Sequence, residues 1–229
     1  MSRFTRPERQ LINKRWPAII PVSLGLSIAS LVLFSWLADQ VLRKHTDRFD
    51  DTVRSVIHDF ASPALTDGMR FVTNLGDWQA VMTATLCLLA YLWYRRDHTH
   101  ILVALVAMMG AGILDASLKL AFHRARPDPF FIAKPSTYSF PSGHALISLC
   151  FYGLLAGTLA HDLAAKWQRI LTWVVAAVLV ALIGISRVYL GVHWPSDVLA
   201  GYAAALIWMG AVRMMALRLE AKRVAPRSM

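Results

Sequence analysis

Leucine, valine, alanine and isoleucine run through this chain in long blocks, without the apolar–polar alternation of a half-buried strand. Six blocks stand out: 17–38, 78–94, 101–122, 144–160, 170–186 and 198–217. A helix needs about 20 apolar residues to cross a bilayer, so the pattern predicts an all-α integral membrane protein, a six-transmembrane helix bundle. The longest interruption is 39–77. Within it, Phe49, Val53, Ile57 and Phe60 recur at helical spacing with charges between them, and "SPALTDGMRFVTNLGDW" reads as a capped turn and a second short amphipathic piece. Two roles remain open for this amphipathic outer-loop region: helices lying in the membrane interface, or a lid over an outer site.

Residues 1–229 read as a single domain, with a basic N-terminal tail (1–16), the outer loop (39–77), a motif-bearing region (119–197) and a basic C-terminal tail (218–229). The first apolar run is too long for the core of a signal peptide and lacks a small-residue cleavage site, so it is expected to stay as an anchor. Both tails are expected to be flexible.

Composition agrees with the pattern: 56% of residues are hydrophobic and 17% charged. The formal net charge of +10 would raise the question of nucleic acid in a soluble protein. Here the basic residues flank apolar runs and read as topology signals, so no nucleic-acid partner is expected. Of the 24 Lys and Arg, 14 fall in the tails, at Arg95-Arg96, at Lys166 and Arg169, and at Arg213. By the positive-inside rule both termini are cytoplasmic, and loops 39–77, 123–143 and 187–197 face outward. Cys87 and Cys150 lie inside apolar runs and read as small core residues.

Three outward stretches carry candidate chemistry. "KLAFHRARPDP" places Lys119 and Arg126 near the end of the third span, "FPSGHA" places Ser142, Gly143 and His144 at the start of the fourth, and "SRVYLGVHWPSD" places Arg187, His193 and Asp197 between the fifth and sixth. Cations this close to hydrocarbon are costly unless paired or functional. A multivalent anion would satisfy all three, since arginine forks match phosphate oxygens and lysine adds a point charge. Gly143 allows close backbone approach, and free N–H groups at a helix start favour an anion. His193 and Asp197 are one helical turn apart. The carboxylate can fix the ring's tautomer and leave the second nitrogen as a nucleophile. His144, if its neighbours keep it protonated, can give a proton to a leaving oxygen.

Together these stretches resemble the three-part signature of the type-2 phosphatidic acid phosphatase superfamily: Lys119…Arg126-Pro127, then Pro141-Ser142-Gly143-His144, then Ser186-Arg187…His193…Asp197. The resemblance implies a membrane enzyme that hydrolyses lipid phosphates or diphosphates without a metal or other cofactor. His193 would form a phosphohistidine, Asp197 would orient it, and His144 would protonate the leaving group and then help activate water. Lys119, Arg126, Ser142, Gly143 and Arg187 would hold the phosphoryl oxygens. The substrate would be a membrane lipid phosphate, first a polyprenyl diphosphate carrier such as undecaprenyl diphosphate, with phosphatidylglycerol phosphate, phosphatidic acid or the phosphate of lipid A as rivals. A lipid-to-lipid phosphotransferase and an anion transporter are the alternatives. Outside the signature, Asp115 is placed to pair with Lys119 or to bond a neighbouring helix, His123 and Arg124 read as loop residues with at most a headgroup contact, and Tyr189 and Trp194 read as members of an interfacial aromatic belt.

Overall fold

A computed structural model describes the backbone of residues 6–224 and the side chains of residues 21–220. Eight helices follow one another: α1 (Arg6–Leu42), α2 (Asp47–Asp59), α3 (Pro63–Asn74), α4 (Trp78–Tyr94), α5 (His98–Phe122), α6 (Gly143–Asp162), α7 (Lys166–Tyr189) and α8 (Pro195–Val224). No strand occurs among the described residues. The helix starts use local chemistry: the Ser62 hydroxyl accepts from Leu65 N–H, and the Asp97 carboxylate accepts from His100 N–H.

Five helices are long and apolar enough to cross a membrane: residues 21–42 of α1, then α5, α6, α7 and 195–220 of α8. The expected second span differs in kind. Alone, α4 has 17 residues, about 26 Å of helix, short of the roughly 30 Å apolar core of a bilayer. It qualifies only when joined to α3, from which it is bent by 45°. The outer loop therefore does not lie wholly on the surface, because its second half feeds a broken span. The tails also differ from expectation: α1 begins at Arg6 and α8 continues to Val224, so most of both is helical. Residues 1–5 and 225–229 lie outside the described residues.

In the bundle α6 packs against α5, α7 and α8, and α1 lies along α8. Small residues let these helices approach without a hydrophobic driving force. A Cβ at Gly110 would lie 2.0 Å from the Trp208 ring, and one at Gly201 would lie 2.7 Å from Ser142 O. Ala104, Ala107, Ala111, Ala145 and Ala205 are fully buried. Outward faces keep Val174, Val175 and Val178 about half exposed, as lipid-facing positions require. The C-terminal ends of α5 and α7, the N-terminal ends of α6 and α8, and the α3–α4 break gather at one end of the bundle.

Amphipathic α2 divides its apolar positions: Val53 and Ile57 are half-buried, Ile57 packing toward Ala145, Val188 and Val198, and an aspartate shares their inward face. Phe49 and Phe60 are exposed, while Thr46 and Asp50 are buried, Asp50 completely. Tyr189 is also not a belt residue. It is 1% exposed, shares a 2.7 Å hydrogen bond with the Thr66 hydroxyl and stacks on Phe131. A phenol that finds a buried partner loses its reason to sit at the headgroups.

Candidate active site

His193 lies in the short connection from α7 to α8 and is buried. Its Nδ1 faces Asp197 Oδ2 at 3.4 Å, and its Nε2 lies 2.9 Å from Arg126 Nη1. A guanidinium only donates, so Nε2 must hold the lone pair and Nδ1 the proton. Two neighbours thus fix one tautomer. Burial, with Arg126 and Arg187 adding to it against the opposing pull of Asp197, pushes the ring's pKa down to about 3.

Asp197, in the first turn of α8, is fully buried and held from several sides. Its Oδ1 accepts from Arg124 Nη1 at 2.6 Å. Its Oδ2 accepts from Trp194 N–H at 2.9 Å and from the Ser139 hydroxyl. So many donors make the carboxylate a poor base. It can orient His193 but has little drive to take its proton.

The other sequence-predicted residues converge on the same end of the bundle. Arg126 is locked by Thr137, donating Nε–H to its carbonyl at 2.6 Å and Nη2–H to its hydroxyl at 2.9 Å, and it also donates to Val192 O at 2.8 Å. Lys119 pairs with Asp115 at 2.7 Å, the first of the two roles that the position of Asp115 left open. A Cβ on Gly143 would lie 2.9 Å from both Lys119 Nζ and Asp115 Oδ1, so a larger residue there would push these two side-chain ends aside. Ser142 N–H donates to Asp197 O at 2.9 Å, which ties the "PSGH" turn to α8. Arg187 donates to the Thr73 hydroxyl at 2.6 Å, and His144 Nε2 lies 2.7 Å from Asp77 Oδ1. Ser142 Oγ and Arg187 Nε are buried with no hydrogen-bond partner among the described residues. Two unmatched donors, one of them on Arg187, beside Arg126 and Lys119 suit a ligand rich in acceptor oxygens, and the equally unmatched Asp115 Oδ1 would accept from such a ligand only if the ligand carried a proton.

This constellation sits on a chain whose residues 100–220 match the sequence model of the PAP2 superfamily. The protein belongs to that superfamily. It is 30% identical over 189 residues to phosphatidylglycerophosphatase B of Bacillus subtilis (strain 168), covering 82% of this chain and 90% of that one. A shorter match, 39% over 82 residues and 35% of each chain, links it to an undecaprenyl-diphosphatase of Sulfolobus acidocaldarius. Among solved structures, it resembles the transmembrane PAP2 type phosphatidylglycerolphosphate phosphatase from Bacillus subtilis. The TM-score is 0.78 at 26% identity, over 88% of this chain and 98% of that one. Three motifs around one buried histidine are thus set in a PAP2 fold.

Five site residues, Asp50, Thr73, Asp77, Arg124 and Trp194, escape the sequence reading. Arg124 is no headgroup-facing loop residue. It donates to Asp197, to Asp50 Oδ2 at 2.8 Å and to the Thr46 hydroxyl at 3.1 Å, and Asp50 in turn accepts from Ser196 N–H and hydroxyl. The result is a buried relay, Asp50–Arg124–Asp197, that pins α2 to the base of the motif region. Thr73 and Asp77 come from the α3–α4 break. Only the position of Asp77, just before an apolar run, marked it at all, and that position reads as an ordinary helix cap. Trp194 anchors through Nε1–H to Ala125 O at 3.1 Å, and the guanidinium groups of Arg54 and Arg124 lie over its ring at 4.9 and 5.5 Å. It has structural partners beyond a membrane belt.

Proposed function

We propose that this protein is an integral-membrane, metal-independent phosphatase that removes a phosphoryl group from a membrane lipid through a phosphohistidine on His193. The observation that carries the reading is the state of His193: buried, neutral, with one nitrogen committed to Asp197 and the other held open by a group that only donates. Incoming phosphate oxygens would draw Arg126 Nη1 away from Nε2 and expose the lone pair to phosphorus. Arg126, Arg187, Lys119, Ser142 Oγ and the N–H groups at the start of α6 would take the charge that spreads over the oxygens. His144 would protonate the departing oxygen and then draw a proton from the water that cleaves the P–N bond. This cation set does the work that Mg²⁺ does in other phosphoryl transfers. Among the described residues no three His, Cys, Asp or Glu converge as metal ligands.

For the lipid, phosphatidylglycerol phosphate is the first reading, because the relative named for it covers 82% of this chain against 35% for the diphosphatase. Undecaprenyl diphosphate is the second, supported by the higher identity of that shorter match. The charge distribution favours the cytoplasmic membrane, cytoplasmic termini and a site on the outer side. A lipid would enter sideways and leave its tails in the bilayer.

Phosphate release from a panel of pure lipids in mixed micelles tests this, with wild type set against His193→Ala. Wild type should release phosphate, be inhibited by vanadate and ignore chelators; His193→Ala should be inactive while still folded. Full activity in His193→Ala ends the nucleophile assignment. Transfer of phosphate to a second lipid would identify a phosphotransferase, and phosphate flux without hydrolysis a transporter.

A further inference from the structure

The structure points to a second positioning carboxylate. We propose that Asp77 orients His144 and supplies the countercharge under which that ring delivers a proton to the leaving oxygen. The inference rests on the phosphatase reading above and adds a residue to it.

Asp77 occupies the N-cap position of α4, where an aspartate normally accepts from the first free N–H groups of the helix. Its side chain makes no such bond. It turns instead to His144 Nε2 at 2.7 Å, its one side-chain hydrogen bond among the described residues. The turn that presents it is fastened at three further points. Thr73 Oγ1 accepts from Arg187 at 2.6 Å, and Leu75 O accepts from the Tyr152 hydroxyl at 2.9 Å. Gly76 lies so close that a Cβ there would sit 3.1 Å from His144 Cδ2 and 2.6 Å from Ile183 Cγ2. A helix break that aims one carboxylate at one imidazole, and also grips Arg187, is built to hold both.

The charges around His144 explain why such a partner is needed. Lys119 on α5 and Arg187 on α7 act on the ring as cations, and Asp115 bonds Lys119 through Oδ2, its buried Oδ1 making no hydrogen bond to His144 or to any other described residue. A general acid must carry a proton into this positive surrounding, and a free carboxylate is the group that offsets it. Asp197 differs in kind. It is loaded with donors from Arg124, Ser139 and Trp194 and serves a histidine that works neutral. In the first step the His193 Nε2 lone pair bonds to phosphorus, and the P–O bond breaks with its electron pair leaving on oxygen. One imidazolium N–H proton of His144 moves to that oxygen, while the other N–H stays on Asp77. In the second step the now neutral His144 takes a proton from water as the oxygen attacks phosphorus and the P–N bond breaks. No further reactant is required.

Leaving-group dependence tests this. Asp77→Asn, Asp77→Glu, wild type and His193→Ala are assayed on phosphatidylglycerol phosphate, whose alkoxide must be protonated to leave, and on p-nitrophenyl phosphate, whose phenolate leaves unaided. Asp77→Asn should lose about 100-fold in kcat on the lipid, within the range of general-acid effects, and less than about 10-fold on the aryl ester. Asp77→Glu should recover part of the lipid rate. The ratio of the two activities is independent of how much of each preparation is folded. Equal losses on both substrates, or no loss on either, would overturn the proposal. Activity in His193→Ala would instead bring down the phosphatase reading itself.

Discussion

Arg124→Met perturbs the ionic relay beneath His193, the proposed nucleophile, at its centre. The substitution keeps a long, flexible side chain but deletes the guanidinium that joins Asp50 and Asp197 at 2.8 and 2.6 Å. Both carboxylates have side chains that are 0% exposed, so neither can turn to water. Removing one partner of a buried ion pair costs about 3–5 kcal/mol, because the other charge stays behind uncompensated. The Arg124 side chain is 13% exposed, which weakens each contact, but two stranded carboxylates work in the opposite direction. The whole range therefore stands. For a chain of this size about 1 kcal/mol shifts the unfolding midpoint by roughly 2–4 °C, so the variant should melt about 6–20 °C below wild type. Thermal unfolding in detergent, read by a thiol-reactive dye in a Cys87→Ser background, suits the purpose: Cys87 is exposed, not a core residue as its apolar run suggests, whereas Cys150 is fully buried and becomes reactive as the bundle opens. Adding Asp50→Asn should return part of the loss, since one stranded charge is gone, whereas a purely steric role for Arg124 predicts no recovery. Turnover should fall as well, because Asp197 loses its shortest ion-pair contact. A variant that melts within about 2 °C of wild type, less than 1 kcal/mol, would refute the relay.

Two further outcomes follow from the same geometry. Gly143→Ala should leave the melting temperature nearly unchanged, since a Cβ there meets the flexible ends of Lys119 and Asp115. It should nevertheless lower kcat/KM by about 10–100-fold through displaced phosphate contacts; unchanged kinetics would remove Lys119 and Gly143 from the phosphate site. Long-range ¹H–¹⁵N spectra of histidine-labelled protein should show His193 neutral, with its proton on Nδ1, at pH 5. The cause is the folded pKa of about 3, far below the ordinary 6.5. Such a group adds stability above about pH 6.5 that is lost as the pH falls toward 3, so a titration midpoint near 6.5 in the folded protein would contradict a buried, neutral His193.

Much of the site is legible along the chain because its key relations are local. His193 and Asp197 are four residues apart across a helix start, and Ser142, Gly143 and His144 are consecutive. Asp115 and Lys119 share one face of α5. Five of the spans announce themselves by hydropathy, since a bilayer demands runs of apolar residues whatever their neighbours. Alternating span direction is enough to bring the three motifs to one membrane face. The broken α3–α4 span was not legible, because α4 meets the hydropathy pattern of a span while falling short of its length.

What only the tertiary structure decided are the partners that lie far along the chain. Asp50 meets Arg124 from 74 residues away, Thr73 meets Arg187 from 114 and Asp77 meets His144 from 67. A carboxylate in an amphipathic helix looks the same in sequence whether it faces water or a buried arginine, and a helix-cap aspartate looks the same whether it caps or turns to a histidine. The sequence alone determined five of the spans and the motif spacings, because these depend on residue type and short-range geometry. Packing chose which carboxylates are buried, and so which of them govern the two histidines, because the cost of burying a charge is met only by a partner that folding brings alongside.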